Sequence, residues 1–256
     1  MESITEYRRN KIAQLIASRE NIKVGELAKV FKVSTETIRK DLIFLDKKGI
    51  IKKSHGGAII NEQSLRMSVE KPLSIKELEN SENKKAIANY ALSLIPDNAS
   101  FFIDSGTTNY FLAKLLANKK NMNIFTNSIP VVNMLSESDN NIYILGGRLK
   151  EQSHCIVGNW TLQIIDSIQP ELAFLGSDAF KNTTGPCTAS FEESGIKSKI
   201  VEKADKVIVL ADSSKFNHSG LFTFSDWSKI DLLITDKNAN RKDIKRLQKF
   251  TQVIEV

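Results

Sequence analysis

The sequence predicts an α/β chain in two parts. The first is a small helical unit closed by a β-hairpin, over residues 1–60. The second is a larger domain built on a mostly parallel sheet, over residues 81–256. Three observations predict this. Apolar residues recur at helical spacing three times within the first fifty positions. From Ser81 onward, short apolar runs alternate with amphipathic stretches, the pattern of a parallel sheet covered on both faces. The charge is also uneven. Residues 1–60 hold 13 Lys/Arg against 7 Asp/Glu, whereas the remaining 23 Lys/Arg are matched by 23 Asp/Glu. A basic head on a neutral body suits one module that meets a polyanion and another that does not.

In the head, Ile12, Leu15 and Ile16 mark the inner face of a first helix from about Thr5 to Arg19. Val24, Leu27, Ala28 and Phe31 mark a short second helix. Ile38, Leu42 and Leu45 mark a third, from about Thr35 to Lys48. Ser34 is a good N-cap for the third helix. Val33 and Ile38 can close over it as a hydrophobic staple. The capping box is incomplete, because Thr37 stands where Glu or Gln would complete it. Gly49 stops the last turn.

The link Phe31-Lys32-Val33-Ser34 has room only for a tight turn, so helices two and three form a helix-turn-helix, whose second helix normally enters the major groove. Candidate groove contacts are Ser34, Thr35, Glu36, Thr37, Arg39 and Lys40. Arg can pair bidentately with guanine, while Lys more often contacts phosphate. Ile50 to Ile60 has two β-prone ends around Gly56-Gly57, a hairpin signal. Behind a helix-turn-helix it reads as a wing, with Lys52, Lys53 and His55 against the DNA backbone or an adjacent groove. The bland alternative is a small helical bundle with a solvated basic surface. Short turn, cap, basic hairpin and charge asymmetry together favour double-stranded DNA as the partner.

Residues 61–80 are polar, mixed in charge and weakly periodic, and read as a linker with a short helix near Ile75–Leu78. They either transmit a change between the two parts or merely tether them.

In the body, strands are expected at Phe101–Ile103, Asn123–Thr126, Ile142–Leu145, Leu172–Leu175, Val207–Ala211, Leu232–Thr235 and Gln252–Val256. Helices are expected at about Ser81–Leu94, Thr108–Ala117, Ile129–Ser136, Trp160–Ser167, Glu192–Ala204 and Arg241–Lys249. Ligands of such sheets bind beyond the C-terminal strand ends. Polar clusters lie there. In Asp104-Ser105-Gly106-Thr107-Thr108, Gly106 permits a tight turn and the following N–H groups open a helix toward an anion. Asp104 would repel that anion, which leaves it a sugar hydroxyl or a capping role. A plain Ser/Thr-capped turn is the alternative for the whole loop. Thr126-Asn127-Ser128, Gly146-Gly147-Arg148 and Gly176-Ser177-Asp178 are weaker, being ordinary turn material when taken singly. Glu193 and Lys197 are one turn apart and can pair at i, i+4. Lys215, in Asp212-Ser213-Ser214-Lys215-Phe216, is either a phosphate partner or simply exposed.

The segments Val33–Leu42 and His55-Gly56-Gly57-Ala58 resemble the N-terminal signature of the DeoR (DeoR/GlpR) family of bacterial transcription regulators. Asp104–Thr108, Thr126–Ser128, Leu145–Arg148, Phe174–Asp178, Glu193 with Lys197, and Ala211–Phe216 are similar, in order, to landmarks of its C-terminal domain. The resemblance thus spans nearly the whole chain. It implies a winged helix-turn-helix followed by a sugar-phosphate-sensing domain similar in fold to ribose-5-phosphate isomerase and the CoA transferases. It further implies a phosphorylated sugar or sugar alcohol held by Gly106–Thr108 and Lys215, with Asp178, Glu193 and Lys197 at acid and base positions. The effector set expected on all these grounds is Asp104, Ser105, Gly106, Thr107, Thr108, Thr126, Asn127, Ser128, Gly147, Arg148, Asp178, Glu193, Lys197 and Lys215. Three departures stand out: Lys40 replaces the second Arg of the signature, Ala179 replaces a frequent Gly, and Gly185-Pro186-Cys187 is unusual. A Lys does not replace Arg in a bidentate base contact.

The expected function is a regulator of a carbohydrate-use operon, a repressor by family habit, acting as a homo-oligomer on operator DNA. The rival class is a sugar-phosphate isomerase carrying a DNA module. No cofactor or metal is expected, because His55, His154 and His218 are scattered and Cys155 and Cys187 are isolated. The polar, acidic start Met1–Glu6 argues against a signal peptide, and no apolar run reaches bilayer length, so a cytoplasmic protein without a membrane partner is expected.

Overall fold

The computed structural model describes residues 5, 8–9, 12, 15–16, 22–47, 51–54, 57–60, 76–77, 79–181 and 183–256. The chain divides into two compact units, Met1–Val69 and Glu70–Val256.

In the smaller unit, strand β1 (Ile22–Lys23) leads into helix α1 (Val24–Phe31) and then α2 (Thr35–Lys47). Lys32 adopts a left-handed conformation (φ 53°), and the Val33 N–H donates to the Ala28 carbonyl, so the chain reverses within the expected link. Ser34 Oγ accepts the Thr37 N–H at 3.1 Å, the N-cap its side chain predicts. Strands β2 (Ile51–Ser54) and β3 (Gly57–Ile60) form the antiparallel hairpin, and β1 adds to β3 as a third strand. Ile12, Ile16, Ile22, Leu27, Ile38, Leu42, Leu45 and Ile51 make the core. Ile12, Leu27, Ile38, Leu42 and Leu45 thus take the inward positions that their spacing assigns.

The larger unit opens with helix α3 (Ser81–Ser93) and is built on seven strands. These are β4 (Ser100–Ile103), β5 (Asn123–Thr126), β6 (Asn141–Ile144), β9 (Leu172–Gly176), β11 (Lys206–Leu210), β13 (Leu232–Thr235) and β14 (Gln252–Glu255). Every pairing in this sheet is parallel, and the order is β14-β13-β11-β9-β4-β5-β6. From β4 the chain first winds outward through β5 and β6. It then returns to β9 on the other side of β4 and winds outward again. The β4–β9 boundary is therefore the topological switch point, where ligand clefts form in such sheets.

Each central strand buries both faces. Phe102, Ala173, Leu175, Val207 and Val209 enter one core cluster, while Phe101, Ile103, Phe174, Ile208 and Leu210 enter the other. This two-sided burial explains why the strands read as unbroken apolar runs. Between them lie α4 (Thr107–Leu116), α5 (Ile129–Leu135), α6 (Asn159–Asp166), α7 (Phe191–Lys203) and α8 (Arg241–Leu247), within two residues of the expected bounds.

Two small sheets were not expected. A hairpin joins β7 (Arg148–Lys150) to β8 (Cys155–Val157), and β10 (Cys187–Thr188) pairs with β12 (Phe222–Thr223). The hairpin turn contains no Gly. His154 supplies its left-handed residue (φ 48°), which hides the turn from a sequence reading.

Candidate functional site

On the smaller unit, Ser34, Thr35, Glu36, Arg39 and Lys40 lie on the exposed side of the start of α2, and Thr37 is half-buried by its cap contact. Arg39 faces Glu36 at 3.7 Å with both side chains about two-thirds exposed, a solvated pairing that leaves the guanidinium available. Lys52 and Lys53 fall on β2, while His55 lies outside the described residues. One feature escaped the sequence reading. Asp41, buried on α2, takes Arg8 Nε at 2.7 Å on one oxygen and Arg9 Nε at 2.8 Å on the other. The carboxylate of the recognition helix thereby holds Arg8 and Arg9, and both guanidiniums are spent on structure.

On the larger unit, the loops after β4 and β9 open a cleft at the switch point. Its wall on the β4 side is Ser105-Gly106-Thr107-Thr108-Asn109. Gly106 turns the chain with φ 112°, and no side chain caps α4, so the first N–H groups of a ten-residue helix face the cleft. Across it stands Lys215, carried by the 3-10 turn Ser213–Asn217 after β11. Its ammonium makes no ion pair among the described residues. Lys76 and Lys84 add two further cations.

The acids are already engaged. Asp104 Oδ2 accepts from Lys197 Nζ and from the Gly176 N–H at 3.0 Å, which ties β4 to β9 across the switch point. The role of Asp104 is thus structural bracing. Burial pushes the Asp104 carboxyl up. Burial also works against the charge of Lys197, yet Asp104, Glu193 and Asp178 together hold its ammonium above the ordinary lysine range. Three carboxylates around one ammonium, with a backbone donor on Oδ2, favour the ionised pair.

Asp178 Oδ1 takes Lys76 Nζ at 3.2 Å, and Oδ2 takes the Ala189 N–H at 3.1 Å and Thr188 Oγ1 at 3.2 Å. Burial opposes its ionisation, but Lys76, Lys215 and Lys197 hold it far below the usual carboxylate range. Glu193 and Lys197 do not form the i, i+4 pair that their spacing allows. Glu193 Oε1 instead accepts from Lys150 Nζ and Ser153 Oγ, each at 2.8 Å. Against the cost of burial, Lys150 and Lys197 hold Glu193 low.

The structure does not bring Thr126, Asn127, Ser128, Gly147 or Arg148 into this cleft. The β5 end lies on the far side of β4 from the switch point, and the β7–β8 hairpin closes over it. Asn127 exchanges two hydrogen bonds with Ile156, at 3.2 and 2.7 Å, and Ser128 caps α5. Arg148 pairs with Glu192 at 2.6 Å on an exposed surface. Gly147 is needed for packing, since a Cβ there would sit 2.4 Å from Thr161 Oγ1. Conversely, Lys76, Lys84, Asn109, Gln152, Ser153 and Thr188 line the cleft without having been singled out. In the loop after β4, Asn109 Nδ2 donates to the Phe174 carbonyl, while its buried Oδ1 has no partner among the described residues. Among the described residues no cluster of His, Cys, Asp and Glu is placed to hold a metal, and no helix is long and apolar enough to cross a membrane.

Comparison with known proteins matches residues 8–64 to the DeoR-like helix-turn-helix domain and residues 79–237 to the DeoR C terminal sensor domain. A relative from Escherichia coli named for transcriptional repression of the aga operon is 33% identical over 96% of this chain and 91% of its own. The HTH-type transcriptional regulator IolR of Bacillus subtilis is 32% identical over 89% of each chain. The glycerol-3-phosphate regulon repressor of Escherichia coli is 30% identical over 90% of each. Among solved structures, ribose 5-phosphate isomerase A of Methanocaldococcus jannaschii overlaps 54% of this chain and 55% of its own, with 17% identity and a TM-score of 0.40.

Proposed function

The chain belongs to the DeoR family of transcriptional regulators, and from that premise we propose that it represses a carbohydrate-use operon under the control of a phosphorylated sugar or sugar alcohol. Residues 1–60 bind the operator, 61–80 link, and 81–256 sense. The DNA contacts are Ser34, Thr35, Glu36, Thr37, Arg39 and Lys40 in the major groove, with Lys52, Lys53 and His55 on the wing. The protein acts in the cytoplasm as a homo-oligomer, because paired half-sites multiply specificity.

One observation carries the effector reading: an uncapped helix start at Gly106–Thr108 faces the ammonium of Lys215 across the switch-point cleft. Backbone donors, helix dipole and an unpaired cation converge there, and a phosphate satisfies all three. Asp178 and Thr188 offer acceptors and a hydroxyl for the sugar end. The same geometry argues against turnover. A general base needs a pKa near the working pH and a free lone pair. Glu193 is held low and receives Lys150 and Ser153, and the charge of Lys197 is committed to Asp104.

Operator binding measured with and without a panel of sugar phosphates tests this reading. One of them should change operator affinity, and Lys215→Ala should remove the change while leaving ligand-free affinity intact. Equal affinity with every ligand would refute sensing, and turnover of a pentose or hexose phosphate would refute the non-enzymatic role.

A further inference from the structure

We propose that Lys76 reports occupancy of the cleft by exchanging its Asp178 partner for the phosphate of the ligand, and so couples the cleft to the segment that leads from the DNA-binding unit. The inference rests on the reading of the cleft as a phosphate site. It adds a ligand contact and a coupling residue in a stretch that the sequence presents only as a linker.

Among the described residues, Lys76, Glu77, Glu79 and Asn80 are joined to the sensing unit by hydrogen bonds and ion pairs of side chains. Lys76 Nζ meets Asp178 Oδ1 at 3.2 Å. Glu77 meets Lys114 at 2.8 Å. Lys84, buried at the start of α3, donates to the carbonyls of Lys76 and Glu79. Asn80, in a left-handed turn (φ 53°), donates to Asp212 Oδ1 at 3.1 Å. Lys76, Lys84 and Asp178 all line the cleft. The position of the segment is therefore set by groups that a ligand would touch.

The charges make exchange favourable. Lys76 and Lys215 both act on the Asp178 carboxylate, and Lys84 lies near both of these ammoniums. Burial draws Lys84 down to about 8, and the nearby Lys215 and Lys76 ammoniums press the same way. A phosphate dianion at Gly106–Thr108 offers those ammoniums a second negative centre. Asp178 keeps the Ala189 N–H and Thr188 Oγ1 when Lys76 leaves, so its carboxylate is not stranded. Lys197 cannot take this part, because its departure would strand the buried Asp104. A ligand shifts a conformational equilibrium only through contacts that differ between states, and the Lys76 exchange is such a contact.

The test uses the full chain and inorganic phosphate as probe, with affinity from calorimetry and hydrogen exchange read on peptides covering residues 76–84. In the wild type, saturating phosphate should change exchange in these peptides. Lys76→Gln should bind phosphate about fivefold more weakly, as expected for one partly exposed charge contact, and should show no exchange change. Lys76→Arg should restore both. A Lys76→Gln protein that binds and responds like the wild type overturns the inference alone. So does a wild type that binds phosphate with these peptides unaltered, a result that needs no variant. A wild type that fails to bind phosphate overturns the reading of the cleft and, with it, this inference.

Discussion

Replacing Lys197 by Met removes one charge from the best-defined ion pair of the sensing unit and leaves its partner stranded. Asp104 is 1% exposed, and apart from Lys197 its Oδ2 keeps only the Gly176 N–H. Removing one member of a buried pair costs about 3–5 kcal/mol, because the remaining charge is uncompensated. For a domain of this size each kcal/mol lowers the melting temperature by about 2–4 °C, so a fall of roughly 6–20 °C is expected. Tryptophan emission is the assay of choice. The chain has two tryptophans, Trp160 and Trp227, both in the unit Glu70–Val256, so the signal reports on that unit alone. Asp104→Asn in the same chain removes the stranded charge. The double variant should recover most of the loss, with a coupling of about 2 kcal/mol or more in the mutant cycle. A single variant within about 1 kcal/mol of the wild type, or strictly additive effects, would refute the assignment of Asp104–Lys197 as an ionised brace.

In the DNA-binding unit, Arg39→Ala should weaken specific operator binding by about 1–3 kcal/mol and relax base preference at one position, whereas Lys52→Ala or Lys53→Ala should weaken binding to all sequences and lower the salt slope by about one. Salt titrations on operator and random duplexes separate the two, and unchanged affinity in all three variants removes the winged-helix assignment. Gly147→Ala should destabilise the sensing unit by at least about 1–3 kcal/mol, since the new methyl meets Thr161 Oγ1 and the Val157 carbonyl inside 3 Å at a φ of +154°; an unaltered melting temperature contradicts the packing. Acid should also destabilise this unit. Asp178 and Glu193 have folded pKa values depressed below their ordinary 3.8 and 4.5, so their contribution is complete above about pH 5 and fades as pH falls through those values. In Lys150→Met the acid-dependent loss should be smaller, because without its nearest cation the folded pKa of Glu193 rises toward the ordinary value; coincident acid profiles would show that Lys150 does not stabilise the carboxylate.

The parts of this protein that were legible in the sequence are those fixed by local pattern and two-sided burial. Asn123–Thr126 and Leu232–Thr235 form strands with the expected bounds, and Leu232–Thr235 is buried along its whole length, as a strand covered on both faces requires. Ser34 caps its helix because the cap is a contact three residues long. The hairpin from Arg148 to Val157 was not legible, since His154 occupies the left-handed position that Gly or Asn usually marks. The cleft was legible where a strand end and a helix start are adjacent in sequence, as at Gly106–Thr108. Thr126–Ser128 carries the same local signal, but sheet order decides between them. Only the β4 end borders the switch point, and strand order is a long-range property. Lys76, Lys150 and Ser153 reach the site from 102, 43 and 40 positions away from their partners, beyond any local pattern.

Glu193 and Lys197 show most clearly how tertiary partners overrule spacing. One helical turn apart, they could neutralise each other, and the pair would then contribute little to a cleft. Each is taken instead by a distant partner: Lys150 from the hairpin for Glu193, Asp104 from the end of β4 for Lys197. Glu193 Oε1 and the Lys197 ammonium are thereby tied to the hairpin and to the end of β4. Among the described residues, the positive groups left without a partner in the cleft are Lys215 and, on the facing wall, the open start of α4. A site whose acids brace the fold while its free groups face an anion is suited to holding a phosphate ester unchanged. Binding energy that would otherwise lower a chemical barrier is then available to shift a conformational equilibrium. That partition of charge is the physical basis of the sensing role proposed for this chain.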